Sequence, residues 1–226
     1  MPLAATTAVL LDIDGTLVDS NYLHVAAWHE GFAAAGETVA QARIHRGIGM
    51  GTPQLLAWLV GEQRAGEVEE RVSEVHRQRY ADAARLLRPL PGAREIVRAL
   101  HGQGVRTILA TSASPEELER LLAVLDLGDA VDAVTSADDV AAAKPEPDVV
   151  ERALEKAGVT AAEAVFVGDT RWDVEAAGKA GVETVGVRSG GIGAAELREA
   201  GAVAVYDDPA HLLRELASSP LARLLP

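Results

Sequence analysis

An apolar run that ends abruptly in two carboxylates constrains this chain most: Val9-Leu10-Leu11 leads straight into Asp12-Ile13-Asp14-Gly15-Thr16-Leu17. A short, uninterrupted apolar run reads as a buried strand of a parallel sheet, covered on both faces. Residues two apart on a strand point the same way. Asp12 and Asp14 therefore project together past its C-terminal edge, where open α/β sheets bind their ligands. Carboxylates this close repel each other unless a cation lies between them or one holds a proton. Chemistry uses both solutions, with one carboxylate attacking, the other moving protons and a hard cation neutralising the pair. By itself the same D-x-D-G also reads as a turn whose carboxylates cap backbone groups.

Strand patterns recur near 7–12, 105–110, 132–135, 164–168, 182–187 and 202–206, separated by helical patterns at 92–102, 115–125, 146–157 and 172–180. This alternation predicts an α/β fold, a Rossmann-like parallel sheet core with helices on both faces. Residues 20–88 break it. There Val25, Trp28 and Phe32 share one helical face and Val68, Val72 and Val75 another. The expected organisation is a core of residues 1–19 and 89–226 with an inserted all-helical domain at 20–88. The residues after Pro220 read as loosely held.

The segment Asp12 to Ser20 resembles motif I of the haloacid dehalogenase superfamily in its phosphatase form. That resemblance implies three later signals, in order. The strand at 105–110 ends in Thr111-Ser112-Ala113-Ser114, similar to motif II; Ser114, Pro115 and Glu117 fit the N-cap, first-turn proline and capping-box partner of a following helix. Lys144 opens Lys144-Pro145-Glu146-Pro147-Asp148, which resembles the lysine motif III, and it is the first lysine in the chain. A compact ammonium suits a point-charge role among carboxylates. Ala164-Val165-Phe166-Val167 then runs into Gly168-Asp169-Thr170-Arg171-Trp172-Asp173, similar to motif IV. An insertion directly after motif I resembles the superfamily's C1 cap, which closes over the core and selects substrate.

Composition is consistent with this. The chain has 226 residues, 48% of them apolar, enough for one sizeable core and a smaller unit. A formal charge of −13 argues against a nucleic-acid partner. With no cysteine, disulfides and thiol chemistry are excluded. No segment is long and apolar enough to span a bilayer, and the N-terminal run lacks the flanks of a signal peptide, so a cytoplasmic, membrane-free protein is expected.

The resemblance assigns roles residue by residue. It implies that Asp12 attacks phosphorus to form an aspartyl-phosphate, and that Asp14 protonates the leaving oxygen and then activates water. Thr111 holds the phosphoryl oxygens and Lys144 balances charge. Mg²⁺ is held by Asp12, the Asp14 carbonyl and Asp169, with Asp173 reaching it through water or supporting Lys144. His24, Trp28, Arg46, Gly47, Met50, Ser112 and Ala113 are the expected substrate-binding residues, for a small phosphorylated metabolite such as phosphoglycolate or a sugar phosphate.

Alternatives follow from the same residues. Asp14 argues against dehalogenation, and the helical segment has no lysine for the Schiff base of a phosphonatase. A β-phosphoglucomutase-like mutase is the closer rival, since His24 and Trp28 match its motif I segment. Met50 stands where that mutase has a cap arginine, although Arg43 or Arg46 is available, and Gly168 stands where it has glutamate. Loss of the nucleophile would mark a non-catalytic binding module, and Asp12 is intact. Of two glycine-rich segments, Gly47 to Gly51 lacks a P-loop lysine, and Ser189-Gly190-Gly191-Ile192-Gly193 lacks dinucleotide-fingerprint spacing, so neither reads as a nucleotide cradle.

Overall fold

The elements follow in the order β1 (Ala8–Leu11), α1 (Asn21–Ala34), α2 (Gln41–Gly47), α3 (Thr52–Val60), α4 (Glu62–Ala83), α5 (Ala93–Gly102), β2 (Arg106–Ala110), α6 (Pro115–Leu125), β3 (Ala133–Thr135), α7 (Asp148–Ala157), β4 (Ala164–Gly168), α8 (Arg171–Lys179), β5 (Glu183–Val187), α9 (Ala194–Ala200), β6 (Ala204–Tyr206) and α10 (Pro209–Arg214). The computed structural model describes residues 6–226, so the first five residues of the expected 1–19 segment lie outside the described residues. The chain forms two compact units, residues up to 19 with Arg88–Pro226, and Ser20–Leu87.

In the first unit six strands form one sheet in the order β3-β2-β1-β4-β5-β6, with every pairing parallel. The α/β architecture is the one expected from the alternating pattern. Leu10, Ile108 and Phe166 lie in register across β2, β1 and β4 and pack with Val149, Val150 and Ala153 of α7 and Ala176 and Ala177 of α8. Val9, Leu11, Leu109, Val165 and Val167 point the other way and are equally buried, which is why these strands carry no polar alternation. The strand order reverses between β1 and β4, so their C-terminal ends flank the crevice where such sheets bind ligands.

The tail contradicts the reading of a loose end. Pro220–Leu224 forms a 3-10 turn with Leu221 and Leu224 buried, Arg223 donates to the carbonyls of Ala162 and Ala164, and Thr7 donates to the carbonyl of Leu224.

In the second unit α1 packs along α4 with α2 and α3 beside them, around Val25, Trp28, Phe32, Leu55, Leu56, Leu59, Val68 and Val72. At Gly31 the backbones approach so closely that a Cβ would meet the Val72 carbonyl oxygen at 2.7 Å. The buried stripe of α4 continues through His76 and Tyr80, while Val75 is only half-buried. Packing follows the ridge of residues four apart rather than the mixed spacing expected from the valines.

Candidate active site

Three strand ends, those of β1, β2 and β4, and the loop that holds Lys144 carry the expected residues of the first unit. Asp12 follows β1 and still pairs with the sheet, its N–H donating 3.0 Å to the Val167 carbonyl. Asp14 sits half-buried in the tight turn beyond, where the N–H groups of Leu17 and Val18 both donate to the Ile13 carbonyl. Gly15 adopts φ +73° there, a conformation that favours glycine. Asp169 follows β4, and Asp173 lies in the first turn of α8.

Lys144 ties these groups into one network. Its Nζ lies 2.5 Å from Asp12 Oδ1 and 2.7 Å from Asp173 Oδ1, and donates 3.2 Å to the Ala110 carbonyl, with the whole side chain buried. Burial works against the ammonium, but Asp12 and Asp173 outweigh it and hold Lys144 above the usual lysine range. Burial pushes the Asp12 carboxyl up to about 7; Lys144 opposes the shift, while Asp173 and Asp14 add to it. The site thus concentrates more negative charge than one lysine neutralises.

The other oxygen of Asp173 is also committed. Asp173 Oδ2 accepts from the Thr170 N–H at 3.0 Å and from its hydroxyl at 2.7 Å, closing a capping box at the start of α8. Asp169 is no helix cap; its Oδ1 accepts from the Thr16 hydroxyl at 2.9 Å. Thr16 and Thr170 are site residues that the motif reading passed over. Thr170-x-x-Asp173 carried the capping-box signature all along, whereas the Thr16 contact spans the two strand ends and has no local signal.

Gly168 gives Asp173 its space: a Cβ there would lie 2.5 Å from Asp173 Cβ and 2.6 Å from its Cγ. Gly168→Ala is therefore expected to lose about 1–3 kcal/mol of stability through overpacking, read by urea unfolding, and to displace the Asp173–Lys144 pair.

Thr111 follows β2, is buried, and accepts from the Ala113 N–H at 3.0 Å. Ser112 Oγ is buried and makes no hydrogen bond among the described residues, which marks it as a group suited to an incoming acceptor. Ser114 and Glu117 form the expected capping box of α6. Asp12, Asp169 and Asp173 offer carboxylate oxygens that all lie within 4.8 Å of one another. A buried, all-oxygen donor set of this kind fits a hard divalent cation.

The remaining expected residues belong to the helical unit. His24 Nδ1 lies 3.0 Å from His76 Nε2, its ring stacks on Tyr80 at 3.9 Å, and Trp28 stacks on His76 at 3.7 Å. Burial, then the neighbouring His24 and Arg77, push His76 down to about 2, so it is a neutral partner. Trp28 and Gly47 are buried, Met50 is half-buried and Arg46 exposed. Gly47 is set by packing, since a Cβ there would meet Leu55 Cδ1 at 2.4 Å.

Known proteins resemble this chain in sequence and fold. A sequence model of haloacid dehalogenase-like hydrolases matches residues 6–181. The phosphoglycolate phosphatase of Pseudomonas fluorescens is 34% identical over 188 residues, covering 80% of this chain and 69% of the relative. The pyrophosphatase PpaX of Halalkalibacterium halodurans is 30% identical over 181 residues, covering 78% and 80%. The crystal structure of a hydrolase from Pseudomonas syringae matches with a TM-score of 0.90 at 38% identity, over 94% of this chain and 99% of that one. A strand-end carboxylate pair, a buried lysine and an acidic motif after β4, together with these matches, lead to one conclusion: the chain belongs to the haloacid dehalogenase-like hydrolases and is an enzyme of their phosphatase kind.

Proposed function

We propose that this enzyme hydrolyses a small phosphomonoester, of the phosphoglycolate or sugar phosphate type, through an aspartyl-phosphate on Asp12. The observation that carries the reading is the buried chain Asp12–Lys144–Asp173, set beside Asp14 and Asp169 at the sheet's switch point. Asp12, held by Lys144, attacks phosphorus. Asp14, in a more exposed setting two residues on, gives a proton to the leaving oxygen and then takes one from the attacking water. The Thr111 hydroxyl and Ser112 receive the phosphoryl oxygens, and the Lys144 ammonium stabilises the charge.

Mg²⁺ is the proposed cation, held by Asp12, Asp169 and the Asp14 carbonyl, with Asp173 engaged mainly by Lys144 and Thr170. When bound it neutralises the carboxylate cluster and the phosphoryl charge. The proposed role of the helical unit is a cap that excludes water and selects the substrate, with His24, Arg46 and Met50 as its candidate selecting residues.

The raised Asp12 pKa gives the cation a pH dependence. Above the ordinary 3.8, a carboxyl at about 7 favours the cation-free fold only while protonated. That contribution is complete below about pH 4 and is lost as pH rises through 7. A cation needs the carboxylate, so apparent Mg²⁺ affinity is expected to rise about tenfold from pH 6 to pH 8, measured by the metal-dependent shift in melting temperature.

A phosphosugar mutase remains the second reading, against which Gly168 counts: a glutamate at that position would collide with Asp173. The test is phosphate release from phosphoglycolate, pentose and hexose phosphates, pyrophosphate and a nitrophenyl ester, with Mg²⁺ and with chelator. Chelator-sensitive release from a monoester supports the phosphatase and ranks its substrates. Isomerisation of β-glucose 1-phosphate with a bisphosphate primer, without phosphate release, establishes the mutase instead. No turnover of any kind returns the reading to a binding module.

A further inference from the structure

The glycine-rich segment after β5, which fits no nucleotide cradle, makes a contact that the proposed chemistry has not used. Ser189 Oγ donates 2.7 Å to the main-chain carbonyl of Gly15, between residues 174 apart in sequence. Ser189 lies beyond the residues matched by the family model, which end at 181.

Both partners are held from behind. The Gly191 N–H donates 3.0 Å to the Arg188 carbonyl, closing a turn with Ser189 and Gly190 at its centre. On one side the Arg188 N–H donates 3.0 Å to the carbonyl of Tyr206, the last residue of β6. On the other, Ile192 is buried against Val174, Leu197 and Ala202. The hydroxyl is thus presented from a rigid loop rather than a mobile one. Facing it, Gly15 donates its N–H 2.8 Å to the Val18 carbonyl, so the contact with Ser189 commits its remaining polar group.

We infer that Ser189 is a positioning residue for the reaction, clamping the Gly15–Thr16 peptide and thereby fixing Asp14 for proton transfer to the leaving oxygen. This rests on the reading of Asp14 as the acid. Gly15 is the residue whose backbone rotates most freely, and it separates Asp14 from Thr16, which holds Asp169. Without the clamp the 15–16 peptide keeps only the long bond from the Thr16 N–H to the Ile13 carbonyl, 3.3 Å, and Asp14 loses alignment while remaining chemically intact.

The leaving group reports this selectively. An alkyl phosphate needs its leaving oxygen protonated, whereas nitrophenolate departs unaided, and kcat/KM reports only the steps up to the first phosphoryl transfer. The experiment compares kcat/KM on phosphoglycolate and nitrophenyl phosphate for wild type, Ser189→Ala, Ser189→Thr and Asp14→Asn. Ser189→Ala is expected to lose about tenfold on the alkyl ester and at most about twofold on the nitrophenyl ester, since misalignment weakens acid catalysis without removing it. Ser189→Thr restores the hydroxyl and is expected to return to within about threefold of wild type on the alkyl ester. An unchanged ratio of the two rates in Ser189→Ala, whether both fall or neither does, overturns the inference, as does a threonine variant no better than alanine. A wild type inactive on the nitrophenyl ester and on every alkyl phosphate of the panel, or an Asp14→Asn variant with its alkyl-ester rate intact, overturns the acid assignment and the inference together.

Discussion

Asp12→Asn is expected to lower phosphate release at least about a thousandfold, the scale of loss when a nucleophile is removed, without destabilising the cation-free protein. The amide oxygen still accepts from Lys144 but cannot attack phosphorus. Stability moves the other way. The wild-type carboxyl has been pushed up to about 7 by burial, against the pull of Lys144 and with the help of Asp173 and Asp14. Above that pH the cation-free fold holds a charge its surroundings disfavour. The asparagine removes that charge, so at pH 8 in chelator the variant is expected to melt at or above the wild-type temperature. Adding Mg²⁺ is expected to raise the melting temperature of wild type far more than that of the variant. Calorimetry and a phosphate assay on the same preparations check both halves. A variant that is inactive but much less stable would mean that Asp12 is a structural residue.

Lys144→Met reverses that pattern and carries the largest expected stability effect. The lysine is buried between two carboxylates at 2.5 and 2.7 Å, and removing it leaves them uncompensated. Breaking a buried pair from one side costs about 3–5 kcal/mol. The sign with pH follows from the shifts. Lys144 sits above its ordinary 10.5, so its contribution is complete below that value and is lost only as pH rises through the higher folded value. In the variant the carboxylates must take up protons, and the deficit is expected to shrink between pH 8 and pH 5. Denaturant unfolding at the two pH values measures this. An equal deficit at both would show that the loss comes from packing rather than charge.

The parts of the site carried by strand ends were legible in the sequence because local rules determine them. Val9-Leu10-Leu11 is uniformly apolar since both faces of β1 are covered; Asp12 and Asp169 each follow a strand of that kind, and Thr111 follows the apolar end of β2, Ile108-Leu109-Ala110. Lys144 was visible by its proline-flanked motif, and the resemblance placed it among carboxylates with Asp173 as a candidate support; its complete burial had no local signal. The residues left unseen act over long sequence separations: Thr16 on Asp169, Ser189 on Gly15, and Thr7 on the carbonyl of Leu224. No periodicity reports such contacts. The tail after Pro220 looked loose for the same reason, since its anchors are carbonyls at 162 and 164. In the helical unit, His76 displaced Val75 from the buried stripe because neighbouring rings, Trp28 and His24, supply a stacked partner that hydrophobicity alone does not encode.

The central claim, that Asp12 carries the phosphoryl group, is tested most directly by acid-quenching the enzyme during turnover of a substrate radiolabelled in its phosphate, followed by peptide mapping. Label confined to the peptide holding Asp12, formed and lost at rates compatible with turnover and absent from Asp12→Asn, is the expected result. Full turnover with no label on the protein, or label on another residue, would contradict it.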